Sequence, residues 1–378
     1  MRAVALYSHI LLTLFIETSQ MLYDAERCGL QGVRLRRSQP KVGDTGSKKA
    51  VRDGDDYSPE YEVESDDTIE DENDPMQHTV MGGESVSMGE LPWTVLIHLF
   101  NGTADDKSRF QVTCSGTLVT RRHIMTAAHC FQRSGDDICK MTDMINLDTV
   151  VKYGEIMVGG VCQMMNETLT CTKKDVGQIF KIKRAQYDNY FKAGCDNTED
   201  IALLELEKEI PDGISHICLP HLHNIDNLDI WSKKYLAAGW GADPSKNFDS
   251  TPRLYKINLG ERLTNDECLK KVSSKGMDTF CTLDTVDKNV CVGDSGSGII
   301  AEYRDKYYLF GLLSTGTSCG DILKKKPELL SAEIHTDIAF YTAAIDSFID
   351  MKVENRESAW KKNNPIHSEL NFNELERI

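Results

Sequence analysis

From about Val80 onward the chain alternates between short apolar runs and polar turns. The runs Trp93–Phe100, Gly116–Val119, Ile156–Val158, Leu236–Ala238 and Tyr307–Leu313 are separated by Gly, Asn, Asp and Pro. Short strands punctuated in this way predict an all-β sandwich or barrel rather than βαβ units. The period changes only late in the chain. Ile338, Tyr341, Ile345, Phe348 and Ile349 recur at three-to-four spacing, which predicts a helix over Ile338–Met351. Residues 351–378 are polar and read as a tail that frays. No internal repeat is visible.

At the other end, Met1-Arg2 precedes an apolar run, clearest over Ile10–Ile16, and then polar Glu17-Thr18-Ser19-Gln20. A basic start, a short apolar core and a polar end predict a secretory signal peptide over residues 1–20. Ser8 and His9 interrupt the run, so a buried helix or an uncleaved anchor is the alternative. The run is too short to span a bilayer, and no later segment approaches about eighteen apolar residues.

Residues 27–52 carry eight bases and one acid, whereas residues 53–74 carry twelve acids and no base. The few apolar residues of the acidic run (Tyr57, Tyr61, Val63, Ile69) follow no period. Such a stretch cannot bury enough surface to offset its ordering entropy, which predicts a disordered segment over residues 21–79. It is either a solubilising tail or a pro-segment that keeps the folded block, residues 80–350, inactive until cut. Arg34-Leu35-Arg36-Arg37 resembles a furin-type processing site.

Composition narrows the options. The 378 residues hold 43 Lys+Arg against 59 Asp+Glu, a net charge of −16, which argues against nucleic acid or an anionic membrane as the main partner. An apolar fraction of 40% can supply a core. The twelve cysteines are dispersed with no CxxC pair, which fits disulfides in an oxidising compartment better than zinc.

Three strings carry candidate chemistry: Thr126-Ala127-Ala128-His129-Cys130, Asp200-Ile201-Ala202-Leu203-Leu204 and Gly293-Asp294-Ser295-Gly296. A serine hydroxyl is a poor nucleophile at neutral pH and needs a neighbouring base. Histidine suits that role because its ordinary pKa is near neutrality. A buried carboxylate must then hold the imidazole in the right tautomer and stabilise the cation it becomes. The developing oxyanion needs preorganised donors, which the amides of a glycine-flanked turn provide. His129, Asp200 and Ser295, with the Gly293 and Ser295 amides, fill these roles.

With these strings the chain resembles the trypsin/chymotrypsin family of serine proteases from about Val80 to Ile349, in the family's order of His, Asp and Ser. Gly82-Gly83, Gly89-Glu90-Leu91-Pro92-Trp93, Ile217-Cys218-Leu219-Pro220, Gly239-Trp240-Gly241 and Ser314 add to the resemblance. It implies two six-stranded antiparallel β-barrels with the catalytic groups in the cleft between them, and chemistry that needs no metal or organic cofactor. It also implies disulfides Cys114–Cys130, Cys268–Cys281, Cys291–Cys319 and, tethering the pro-segment, Cys28–Cys218. Cys139, Cys162, Cys171 and Cys195 allow three pairings, of which Cys162–Cys171 with Cys139–Cys195 is favoured.

In the resemblance, a cut before Val80-Met81-Gly82-Gly83 frees an ammonium group that pairs with Asp294 and orders the oxyanion turn. The residue before that cut is Thr79, not the usual Arg or Lys. Ser297 follows Gly296, an ending that resembles secreted nematode members. The expected substrate pocket comprises Asn289, Val290, Ser314, Gly316 and Glu333, with Thr315 in place of an aromatic residue. Asn289 stands where trypsins place an Asp, so a plain tryptic preference is not expected. Glu333, or Glu328 in a competing register, either accepts a basic side chain or blocks the pocket. Asn101-Gly102-Thr103 and Asn166-Glu167-Thr168 have the form of glycosylation acceptors.

The expectation is a secreted, extracellular serine endopeptidase made as a zymogen, with protein or peptide substrates, an upstream activating protease and serpin-like or other inhibitors as partners. The rival is a catalytically silent homologue that acts as a secreted binding or regulatory module.

Overall fold

A computed structural model describes residues 22–32, 82–100, 110–133, 140–165, 171–195, 198–223, 225, 234–241, 253–285, 289–317 and 331–351. Its first strand, β1 (Glu84–Ser85), leads into β2 (Thr94–Phe100), β3 (Phe110–Leu118), β4 (His123–Thr126), β5 (Gly154–Val158), β6 (Gln178–Gln186) and β7 (Ala202–Leu206). The last six close an antiparallel barrel in the order β2-β3-β4-β7-β6-β5. β2 is buried at every position but His98, because the helix Leu147–Tyr153 and the second sheet cover the face that the barrel interior does not. Its apolar run is therefore continuous rather than alternating, as a strand covered on both sides requires.

The second unit contains β8 (Tyr235–Gly239), β9 (Tyr255–Gly260), β10 (Thr279–Leu283), β11 (Gly298–Tyr303), β12 (Lys306–Thr315) and β13 (Ala332–Asp337). It is a seven-stranded antiparallel sheet, ordered β1-β9-β8-β11-β12-β13-β10, because β1 adds itself to the edge of β9. The sheet curls until the chain beyond β9 reaches β10, where the Leu263 N–H donates to the Cys281 carbonyl at 2.8 Å. This is the chymotrypsin-like double-barrel arrangement, with its second unit extended by one short strand.

The single helix expected over Ile338–Met351 is instead a 3-10 turn, Ile338–Tyr341, followed by an α-helix, Thr342–Phe348. The Asp337 side chain accepts from the Ala339 N–H at 3.1 Å and starts the turn, and Asp350, at φ 55°, ends the helical path. Among the described residues no helix is long and apolar enough to cross a membrane.

Part of the segment expected to be disordered is packed. Tyr23, Ala25 and Cys28 are buried against the folded block, and Cys28 is bonded to Cys218. The Gly29 N–H donates to His216 O at 2.7 Å, its carbonyl accepts from Tyr307 N at 3.0 Å, and Tyr23 Oη meets His223 Nε2 at 2.9 Å. One large aromatic ring and a disulfide thus anchor residues that the charge pattern alone assigns to a linker. The basic and acidic runs that follow lie outside the described residues.

Candidate active site

The two units meet through β3. The Ser115 N–H donates to Ser295 O at 2.9 Å, and its hydroxyl donates to Gly293 O at 3.1 Å. Ser115 O in turn accepts the Thr126 hydroxyl at 2.7 Å. Gly296 is required here: its φ is +77°, and a Cβ on it would stand 2.0 Å from Thr126 Oγ1. The serine turn of one unit is thereby clamped onto the strands that lead to the histidine of the other.

His129 sits in the 3-10 turn Ala128–Phe131, just after β4, beside the Cys114–Cys130 disulfide. Its backbone N–H donates to Asp200 Oδ1 at 2.8 Å, and its Nδ1 meets Asp200 Oδ2 at 2.8 Å. A carboxylate only accepts, so the proton belongs on Nδ1 and the ring's basic lone pair on Nε2. Asp200, 2% exposed, directly precedes β7. Glu199, at φ 57°, turns the chain into it with its N–H on Asp278 Oδ2. The Thr336 hydroxyl holds the Asp200 carbonyl at 2.9 Å, and the Ser314 hydroxyl donates to Oδ2 at 2.5 Å.

These contacts set the charges. Burial alone would raise Asp200, but the His129 ring and the hydrogen bonds from His129 and Ser314 outweigh it and hold the carboxyl below its ordinary range. Burial alone would lower His129, but the Asp200 charge outweighs it and holds the imidazole above its ordinary value.

Around Ser295 the backbone makes a tight nest. Gly293 is at φ 100°, the Asp294 N–H donates to Cys291 O, and the Gly296 N–H donates to Leu313 O, both at 2.9 Å. Among the described residues the N–H groups of Gly293 and Ser295 have no acceptor, so this turn presents two free donors. Asp294 points the other way and is fully buried. It accepts from Gly241 N and Cys291 N at 2.8 Å each, and burial pushes its carboxyl up to about 7 despite both bonds. Val80, its expected partner, lies outside the described residues, as do Thr79, Asn101, Asn166 and Glu328.

A pocket of about 190 Å³ opens beside Ser295, and Val290, Leu313, Ser314, Gly316 and Glu333 are among the residues that line it. Asn289 is not among them. It is buried behind the wall, where its Nδ2 donates to Asp284 Oδ1 at 3.3 Å and its Oδ1 accepts from Val290 N at 2.9 Å. Its side chain also reaches the Glu333 carboxyl, so it stands behind that pocket residue. Sequence reasoning also missed Asp284, just past the end of β10, and the bond from Ser314 to Asp200. Nothing in the local sequence signals either.

Cys268–Cys281 and Cys162–Cys171 are bonded alongside the two disulfides above. Cys195 and Cys291 are also in disulfides, and Cys139 and Cys319, their expected partners, lie outside the described residues. A larger cavity, about 460 Å³, lies against the start of the C-terminal helix and includes none of the residues assigned a catalytic role.

A closed barrel, a curled second sheet and a glycine-flanked serine turn at their junction define the chymotrypsin-like class. Residues 80–329 match the family model for trypsin. The chain is 30% identical over 281 residues to a Caenorhabditis elegans trypsin-like protease, covering 68% of this chain and 83% of that protein. It is 23% identical over 248 residues to phenoloxidase-activating factor 1 of Holotrichia diomphalia, covering 64% of each chain. With mouse vitamin K-dependent protein C it shares 26% identity over 306 residues, covering 77% of this chain and 56% of that protein. The chain belongs to the trypsin family of serine endopeptidases.

Proposed function

We propose that the protein is a secreted serine endopeptidase, made as a zymogen, that cleaves protein substrates through an acyl-enzyme. Ser295 attacks the carbonyl carbon, and His129 Nε2 takes its proton and returns it to the leaving amine. Asp200 keeps the second proton on Nδ1 and stabilises the imidazolium, and the Gly293 and Ser295 amides receive the oxyanion. The observation that carries this reading is the pairing of a fully bonded His129–Asp200 couple with a serine turn whose two amides lack acceptors.

Activation by a cut before Val80 suits Asp294, a buried carboxyl with amide partners but no cation among the described residues. The Cys28–Cys218 bond would keep the severed segment attached. The names of the relatives, one an activating factor, fit a protease that acts within a chain of proteolysis.

One observation favours the silent-homologue reading: the Glu333 carboxyl lies against Gly316 inside the pocket. A fluorophosphonate serine probe on the processed protein separates the two. The endopeptidase labels covalently and Ser295→Ala does not. Failure to label with the mature N-terminus mapped to Val80 rejects the endopeptidase.

A further inference from the structure

Glu333 pairs with Thr282 across β13 and β10, and Asp284 stands two residues beyond Thr282. Both acids are buried, at 2% and 3% exposed. Asp284 is fully engaged: it accepts from Asn289 Nδ2 at 3.3 Å, from Ser331 N at 3.0 Å and from the Thr317 hydroxyl. Glu333 meets Asp284 and Asn289 through its carboxyl, but its Oε1 is buried without a hydrogen-bond partner. Its Oε2 lies 2.1 Å from where a Cβ on Gly316 would stand, so the carboxyl reaches across the pocket to the end of β12.

No Lys or Arg among the described residues pairs with either acid. The other charged or titratable groups facing Glu333 do not help. Asp294, behind the serine turn, is a third carboxyl, and His335, two residues along β13, is held neutral by burial, with its pKa pushed down to about 3. The rest of the lining mixes Val290, Val292, Leu313 and the Cys291 disulfide with the uncharged hydroxyls of Ser295, Ser314, Thr315 and Thr317. A buried carboxyl with an open oxygen is costly unless something that enters completes it.

Taking the endopeptidase reading as given, we propose that Glu333 is the specificity-determining residue, that the pocket takes the cationic side chain of Lys or Arg from the wall of β13, and that entry of the cation expels one proton from the carboxyl cluster. Burial first, then the neighbouring Asp284 and Asp294, drive the Glu333 carboxyl well above its ordinary range, so the empty pocket holds it protonated. The balance is one cation in and one proton out, with Glu333 passing from acid to carboxylate. Affinity for basic residues therefore rises with pH until Glu333 ionises without help. Neutral side chains gain no such dependence.

The test uses the processed two-chain protein and a fluorescent benzamidinium probe, whose binding does not require turnover. The expected result is saturable binding that tightens with pH, persists in Ser295→Ala and weakens on the order of 100-fold in Glu333→Gln, with loss of the pH dependence. Glu333→Ala opens the pocket, and its peptide cleavage shifts from Lys or Arg to bulky apolar residues. Wild-type protein that fails to bind the probe, or binds it equally in Glu333→Gln with an unchanged melting temperature, overturns the assignment. Labelling of Ser295 by the fluorophosphonate in the same samples reads the endopeptidase independently. A labelled enzyme that cuts after leucine or phenylalanine and ignores the cation sinks only the pocket proposal.

Discussion

Asp200 and Glu333 are both almost wholly buried, and both serve one junction, yet their surroundings are opposite. Asp200 receives an amide, an imidazole and a hydroxyl. Glu333 has one oxygen with no partner, and its charged neighbours are two more carboxyls. Burial penalises the ion at each site, and the partners decide the outcome, holding one carboxyl low and leaving the other high. Asp200 is fully partnered in the resting chain, whereas Glu333 is one partner short. Asp294 is intermediate, with two amide donors and a pKa of about 7.

The strongest way to break the contrast is to undo the completed site. Asp200→Asn preserves shape but lets the wrong tautomer of His129 form, and kcat is expected to fall about 10⁴-fold. The same experiment carries a pH signature. His129 acts as a base only when neutral, and its pKa is raised, so the acid limb of wild-type kcat/KM lies above the 6.5 or so of a free imidazole. Activity falls as pH drops through that limb. Asp200→Asn removes the charge that raises it, so the limb moves to lower pH. A limb that stays in place would mean that another group is titrating.

The next effect is on stability and should leave both carboxyls untouched. The Cys28–Cys218 bond closes a span of 190 residues in the uncut chain. Replacing both cysteines with serine is expected to cost about 2–5 kcal/mol, read by denaturant unfolding of the uncut protein. Tyr23 and the Gly29 backbone bonds remain to dock the segment, so residue preference and the pH limb should not change. A changed preference would mean that the amino-terminal segment reaches the pocket.

Much of this was legible in the chain itself, for identifiable reasons. The strand runs follow from β-branched and aromatic clustering, and the His129, Asp200 and Ser295 strings stand out because the roles proposed for them, and the tight turn at Gly296, each restrict local sequence. The pocket was harder. Glu333 could be tied to a wall only through a register along β13, and the bond from Asn289 to Asp284, just past the end of β10, leaves no local signal. The docking of Tyr23 was hidden because a single aromatic residue in a polar stretch makes no periodic pattern. Contacts between side chains far apart in sequence leave no local trace.

Ser314 gives the smallest effect and the finest test, because it belongs to both regions: it lines the pocket with Glu333 and donates to Asp200. A hydrogen bond to a charged group contributes roughly 1.5–3 kcal/mol, but Asp200 keeps both bonds from His129 when this one is lost. Ser314→Ala should therefore lower kcat only about 10-fold, near the bottom of that range. Loss of a bond that favours the ion raises Asp200, weakens the charge it offers His129 and moves the acid limb slightly downward. The benzamidinium affinity should not change, since the pocket acid is untouched. If instead the affinity drops and the limb stays, Ser314 serves recognition rather than the catalytic pair, and the two carboxyl sites are not separable as their hydrogen bonding implies.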